Sequence, residues 1–302
     1  MFGICNLSIV PCRKDPSDKS EMVTQLLFGE HFQLLDTKGN WQLIRIAYDG
    51  YECWIDKKQF LPLSEKTING IKDSTTALTT DLVQLASPLT ESDTRQSHRT
   101  QPSLEQQHIP IVLGSSLPKY KENCFWLGKE KYSFEGAVGF PFEKTKAIPC
   151  GEGVSGVAAW YLNTPYLWGG RSPFGIDCSG FTQMVFKLNG IQLQRDAWQQ
   201  AEQGKVLSFL EEAQTGDLAF FDNEEGKIVH VGIITTPSIP IAIGTPKGVE
   251  LRAQSPSPLG KVGMGCIHAS GKVRIDKLDH HGIFNEETKK YSHRLRVIKR
   301  CL

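Results

Sequence analysis

A chain of 302 residues carrying 34 Lys and Arg against 33 Asp and Glu is nearly neutral. That balance removes the electrostatic footprint of a nucleic-acid binder, and no apolar run reaches the roughly 20 residues that span a bilayer. The eight cysteines, at 5, 12, 53, 124, 150, 178, 266 and 301, form no C-x-x-C pair and no metal-finger spacing. They read as reduced thiols. With no positive n-region ahead of a mildly apolar start, they point to a cytoplasmic protein.

In chain order, residues 1–63 read as β structure. Strand-like runs at 6–11, 24–27, 31–36, 41–47 and 52–55 are punctuated by Asp15-Pro16, Phe28-Gly29-Glu30, Lys38-Gly39-Asn40 and Asp49-Gly50. Gly39-Asn40-Trp41 followed by Gly50-Tyr51-Glu52-Cys53-Trp54-Ile55 resembles the bacterial SH3-like repeat. Residues 64–148 suggest a second, degenerate SH3-like barrel. Its strands are expected near 82–85, 109–115 and 132–136, and a polar insertion covers 91–107. Tyr51 and Glu52 offer a phenol and a carboxylate on a loop that could wall off a binding site; loop polar residues are commonly only solvated.

The third segment, 149–302, opens on a helix pattern at 153–162 stopped by Asn163 and Pro165. The stretch from Tyr166 to Phe181 then packs three aromatics, three glycines and a proline ahead of Cys178. Phe181, Met184, Val185, Phe186 and Leu188 recur at helical spacing, and Gly190 is a stop signal. Asp177 is a permitted N-cap, so Cys178 falls in the first turn. Amides and dipole at a helix start favour an anion, and a thiol so placed drops from about 8.5 toward about 3.5–7.5. Cys178 is a candidate nucleophile; a lone helix cysteine is otherwise a small buried hydrophobe.

Downstream, Asp196 caps a short helix, and strands are expected at 218–221, 228–234 and 265–269. A helix followed by an antiparallel sheet is an α+β pattern. His230 and His268 each sit among β-branched or small residues of a strand, where a satisfied core histidine is the plain alternative. No third ligand recurs at metal spacing, so neither metal nor cofactor is expected. With Cys178 the two histidines instead form a set of nucleophile, base and orienting group. Amide hydrolysis needs these, plus a stabilised oxyanion to which the Tyr166 phenol and backbone amides could donate.

The ordered motifs Tyr166-x-Trp168-Gly169-Gly170, Asp177-Cys178-Ser179-Gly180-Phe181, Arg195-Asp196-Ala197, Gly216-Asp217-Leu218, His230-Val231-Gly232-Ile233 and Ile267-His268-Ala269-Ser270 resemble the NlpC family of cysteine peptidases. The resemblance implies a papain-like α+β domain with Cys178 as nucleophile, His230 as base, His268 as orienting residue and Tyr166 beside the nucleophile. It also implies that Trp168, Asp177, Ser179 and Asp196 line the substrate pocket. The arrangement of SH3-like barrels before such a domain looks like the cytoplasmic γ-D-glutamyl-L-diamino-acid dipeptidyl peptidases. That likeness implies action on muropeptides (L-Ala-γ-D-Glu-diamino acid), with Asp196 at the free amine and Tyr51 and Glu52 as the first barrel's contribution; a monomer is expected. Ala197 stands where members often carry Ser, which removes one hydrogen bond. An exported endopeptidase acting on intact wall and an inactive wall-peptide-binding module are the alternative readings.

Overall fold

A computed structural model describes residues 1–72, 74, 76–89, 108–141, 151–235, 240–241, 252–253 and 264–302. The polar stretch 91–107 lies outside them, as does Cys150. The chain divides into two compact units, Met1–Lys144 and Thr145–Leu302.

The first unit is built from short strands. They are β1 Phe2–Ile4, β2 Ile9–Arg13, β3 Met22–Leu27, β4 His31–Lys38, β5 Trp41–Ile46, β6 Glu52–Asp56 and β7 Leu61–Leu63. These make one antiparallel sheet in the order β3-β2-β6-β5-β4-β1-β7. Alternation of apolar side chains sends one face inward, and Cys5, Val10, Cys12, Leu26, Phe32, Ile44, Ile46, Cys53 and Ile55 form its core. The expected strand at 6–11 starts later, because the backbone from Cys5 turns to bond Gly29 and Glu30 before β2 begins. Gly39 and Gly50 take positive φ at the two hairpin turns, as their turn signals required.

Beyond β7 the chain forms α1 Glu65–Lys72, a helix that a purely β reading of 64–148 did not anticipate. Ser64 Oγ accepts from the Thr67 amide at its start, and Ile68 and Ile71 are its buried face. Strands β8 Ala77–Thr79, β9 Val83–Pro88, β10 Ile109–Val112, β11 Ser116–Leu117, β12 Cys124–Leu127, β13 Glu130–Phe134 and β14 Val138–Gly139 follow. They pair as β10-β9-β13-β12 and β11-β8-β14. Their core also takes in Ile4 and Leu63 from the first sheet and Phe28 from its β3–β4 turn.

The second unit opens with α2 Gly151–Ala159, a two-residue ribbon of β15 Arg171–Ser172 and β16 Gly175–Ile176, α3 Cys178–Leu188 and α4 Ala197–Gln200. Strands β17 Lys205–Leu207, β18 Leu218–Asp222 and β19 Ile228–Thr235 come next. A separate ribbon of β20 Pro240–Ile241 and β21 Arg252–Ala253 precedes β22 Met264–Ser270, β23 Lys272–Asp279, β24 Gly282–Asn285 and β25 Lys290–Arg300. The main sheet runs β17-β25-β18-β19-β22-β23-β24, and β24 also pairs with β25, so six strands close into a barrel.

Helix α3 lies on β19 and β22. Its Phe181, Met184, Val185 and Phe186 are fully buried, each contributing about 1.5–3 kcal/mol by leaving water. Ile234 and Cys266 of those strands, with Ala219, Phe221, Leu278, Ile283 and Ile298 of their neighbours, form the apolar lining of the barrel. Among the described residues no helix is long and apolar enough to cross a membrane.

Candidate active site

The start of α3 is held by one carboxylate. Asp177 is its N-cap and accepts from the Gly180 amide at 2.6 Å. Its other oxygen accepts from the Gly169 amide at 2.8 Å. The Arg195 guanidinium then grips both oxygens, at 3.1 and 2.6 Å, and reaches Ser179 Oγ at 2.9 Å. Arg195 and Asp177 are both buried, so removing either strands a charge in the interior at a cost of about 3–5 kcal/mol. One side chain thereby ties together the Trp168–Gly170 turn, the cysteine helix and the loop before α4. The glycines of this motif have a packing reason. A side chain on Gly180 would collide with the Gly170 carbonyl oxygen, and one on Gly170 would collide with that of Gly175.

Cys178 occupies the first turn of α3 and keeps only 8% of its surface exposed. Backbone amides of Val231 and Ser179 donate to its sulfur, so the helix start is set against β19 one residue from His230. The lowered thiol pKa expected from the helix start is not what results. Burial, and then the neighbouring Asp177 carboxylate, outweigh the amides and Arg195 and push the thiol up to about 12. The resting sulfur is a thiol.

His230 and His268 project from adjacent strands toward the barrel interior. His268 pairs in register with Gly232, where any side chain would collide with the Cys266 sulfur. His230 Nε2 lies 2.8 Å from His268 Nδ1, and His268 Nε2 lies 3.0 Å from Asp276 Oδ2. Arg274 backs the acid, with Nη2 2.9 Å from Oδ1 and Nε 2.8 Å from Oδ2. Burial alone would raise the Asp276 pKa, but hydrogen bonds from His268 and Arg274 bring it below the usual carboxylate value. His293, on β25, stacks on His230 with ring centroids 4.0 Å apart and planes 19° from parallel. Burial, with His293 and His268 close by, holds the His230 pKa well below its ordinary value, so the ring is neutral at pH 7.

Donor atoms of His230, His268 and His293 lie within 4.8 Å of one another, the one such group among the described residues. The near-parallel rings of His230 and His293 keep their lone pairs from converging, so an ion would require a ring to turn.

A cysteine at a helix start, its sulfur met by the amide next to a strand histidine that is itself bonded to a second histidine, supplies the groups a thiol peptidase needs. The sequence comparisons agree. The profile of the NlpC/P60 family matches residues 163–290, and that of the bacterial dipeptidyl-peptidase SH3 domain matches residues 12–60. A Bacillus subtilis protein named gamma-D-glutamyl-L-lysine dipeptidyl-peptidase is 33% identical over 225 residues, which cover 70% of this chain and 68% of that protein. The chain belongs to the NlpC/P60 family.

As an NlpC/P60 protein it is a cysteine peptidase. A Bacillus cereus relative carrying the same dipeptidyl-peptidase name is 25% identical, and the match covers 70% of this chain and 63% of that one. The solved structure of an NlpC/P60 family protein from Bacillus cereus superposes over the whole of both chains with a TM-score of 0.71 at 19% identity, which bears on the fold. The expected class, a papain-like α+β domain preceded by SH3-like β structure, is the one observed.

The other residues singled out in the NlpC/P60 motifs divide into two groups. Tyr166 is half-buried, and its phenol is raised above the ordinary value first by burial, with Cys178 and Asp177 close by, so it stays protonated as a donor near the sulfur. Trp168 and Asp196 reach solvent, at 60% exposure for the indole, while Ala197 is buried at the start of α4. The Asp196 amide donates to Gln199 Oε1 at 3.0 Å. Asp177 and Ser179 are buried beside Cys178, with the carboxylate gripped by Arg195 and backbone amides and the hydroxyl bonded to Arg195. In the first unit, Glu52 pairs with Arg45 at 2.6 Å and Tyr51 packs on the apolar core.

Asp276, Arg274 and His293 were absent from the sequence reading. The tight turn at Gly271 was the available signal for Asp276. It pairs His268 with Arg274 and Cys266 with Asp276, which makes His268 and Asp276 diagonal neighbours on one face.

Proposed function

We propose that this peptidase hydrolyses the bond between γ-D-Glu and the diamino acid (diaminopimelate or Lys) of peptidoglycan stem peptides that carry a free N-terminal L-Ala, releasing L-Ala-γ-D-Glu during recycling of wall fragments in the cytoplasm. The carrying observation is the Cys178 sulfur held by the Val231 amide, beside a histidine pair backed by a carboxylate. The names of the relatives and the dipeptidyl-peptidase SH3 match support the substrate class. Seven free cysteines among the described residues suit a reducing compartment.

In this reading His230 is the base. Because thiol and imidazole are both neutral at rest, the proton passes from sulfur to His230 as the sulfur attacks the carbonyl carbon, a step in which a positioned base is worth about 10²–10⁴ in rate. The developing oxyanion takes hydrogen bonds from the Tyr166 phenol and from amides at the start of α3, each worth about 10²–10³. His230 then returns the proton to the departing amine of the diamino acid, leaving a thioester on Cys178. Water, deprotonated by His230, attacks that thioester and releases the dipeptide. The Asp196 carboxylate receives the ammonium of L-Ala at the pocket rim.

The test uses L-Ala-γ-D-Glu-diaminopimelate and its N-acetylated analogue, with wild type and Cys178→Ala. Cleavage of the free peptide alone, lost in the variant, is expected. Equal rates on both peptides would remove the dipeptidyl-peptidase assignment in favour of an endopeptidase. Cleavage surviving in Cys178→Ala would remove the nucleophile.

A further inference from the structure

We propose that Asp276, backed by Arg274, is a positioning residue that fixes the proton arrangement of both histidines so that the free nitrogen of His230 can accept the thiol proton. The inference rests on His230 being the base, as in the reading above.

The case begins with chemistry at the far end of the chain of groups. An ionised carboxylate can only accept hydrogen bonds. Asp276 lies 4% exposed in the barrel wall with Arg274 against both its oxygens, a setting that keeps it ionised. Its Oδ2 lies 3.0 Å from His268 Nε2, so that nitrogen must carry the hydrogen. An imidazole ring with one hydrogen then has a bare Nδ1, and that atom lies 2.8 Å from His230 Nε2. His230 Nε2 must therefore donate. The one nitrogen left on His230 is Nδ1, which then bears a lone pair. In the reverse arrangement every hydrogen shifts one place, His230 Nδ1 carries a proton, and the ring cannot take one from sulfur.

His268 alone cannot choose between the two arrangements, because a neutral imidazole donates from either nitrogen. The choice is made where the chain meets a group without a donor. Backbone geometry keeps that group in place: β22 and β23 turn tightly at Gly271, and Asp276 sits diagonally across from His268 on the same face. Arg274 faces His268 directly in the register and is itself tethered to Glu287 at 3.2 Å. The groups facing the histidine pair are thus Asp276 and Arg274 from β23 and His293 from β25. A hairpin carrying the same buried ion pair for stability alone would make no demand on which histidine nitrogen holds hydrogen.

Asp276→Asn separates the two cases. Its amide can donate to His268 Nε2 and reverse the chain. In ¹⁵N-histidine spectra the wild type should show His230 Nδ1 unprotonated, and the variant should show it protonated. On the muropeptide, kcat should fall about 10²–10⁴-fold with KM within about twofold, the pattern of a misdirected base. Asp276→Glu keeps an acceptor and should retain the wild-type spectrum. Iodoacetamide alkylation of Cys178, followed on its own peptide by mass spectrometry, should slow at least about tenfold in Asp276→Asn. That reaction and the spectra need no muropeptide, so they stand even where the substrate assignment fails.

Arg274→Gln supplies a second handle if Asp276→Asn does not fold. Loss of a cation beside the carboxylate should raise the pH at which the alkylation rate falls off on the acid side. The proposal is overturned if folded Asp276→Asn keeps His230 Nδ1 unprotonated, or if Arg274→Gln leaves that pH limb in place.

Discussion

The two barrels in this chain bury different things. The interior of the first sheet holds Val10, Leu26, Phe32, Ile44, Ile46 and Ile55, with Cys5, Cys12 and Cys53 serving as small apolar residues among them. The barrel of the second unit is apolar through Phe221, Ile234, Cys266, Leu278 and Ile298. At its other end it encloses His230, His268 and Asp276, all under 9% exposed, with His293 stacked beside them. Burying such groups is unfavourable unless every donor and acceptor is matched. The first unit shows that an antiparallel sheet of this size folds around a core without them. Their presence in the second is therefore best explained by chemistry, and their mutual hydrogen bonds are what make it tolerable.

The contrast is broken most sharply at the sulfur. Cys178→Ala should abolish peptidase activity, by more than about 10⁴-fold, while leaving the melting temperature of the second unit nearly unchanged, because the side chain is small and its loss unpairs no charge. A variant with appreciable activity would place the chemistry elsewhere. Next comes the buried tie: Arg195→Ala should cost about 3–5 kcal/mol and lower the melting temperature of the second unit by roughly 10 °C. In the first unit the matching experiment is a cavity. Ile44→Ala, fully buried, should destabilise that unit by about 2–5 kcal/mol with no pH dependence beyond that of the wild type.

The polar end of the second barrel should announce itself in acid. Burial and the nearby His268 lower His293 to about 4, against an ordinary value of 6.5. Between those values the unfolded chain binds a proton that the folded chain excludes, so stability falls as pH falls from 6.5 toward 4. The loss from this ring is at most about 3 kcal/mol, and less after screening at its solvent-exposed edge. His230 is depressed in the same direction and steepens the fall. Urea titrations of His293→Phe across that window should show a shallower slope; an unchanged slope would mean the ring does not titrate there. Smallest of all is the surface pair of the first unit. Glu52→Gln should shift stability by no more than about 1 kcal/mol, since Arg45 and Glu52 are both about half exposed.

Much of this was legible in the residues because the signals were local. Helix α3, its Asp177 cap and its stop at Gly190 follow from spacing and caps within a dozen residues. Strands β18, β19 and β22 are dense in β-branched and apolar residues, and they place both histidines. The closing strands β23 to β25 were not anticipated. Sequences such as Lys-Val-Arg-Ile-Asp-Lys and His-Arg-Leu-Arg-Val-Ile-Lys-Arg turn one charged face to solvent and read as polar. Asp276 was missed with them, since an acid in an unassigned strand has no visible partner. The direction of the Cys178 shift was misjudged for a different reason. The helix-start argument counts favourable amides but not the depth of burial or the carboxylate next door, and these prove larger. Helix α1 hid in a short segment whose only apolar pair is Ile68 and Ile71.

Strand β25 has a consequence for how the second unit comes into being. It supplies the seam that pairs with β18 on one side and with β24 and β17 on the other. During synthesis the strands ahead of it leave the ribosome first, with open edges and a half-built interior. Until residue 300 has emerged the seam cannot form, and His293 cannot take its place over His230. A nascent chain short of β25 therefore has an unclosed barrel, and its unpaired edges make the interval before closure the period in which a chaperone would matter most.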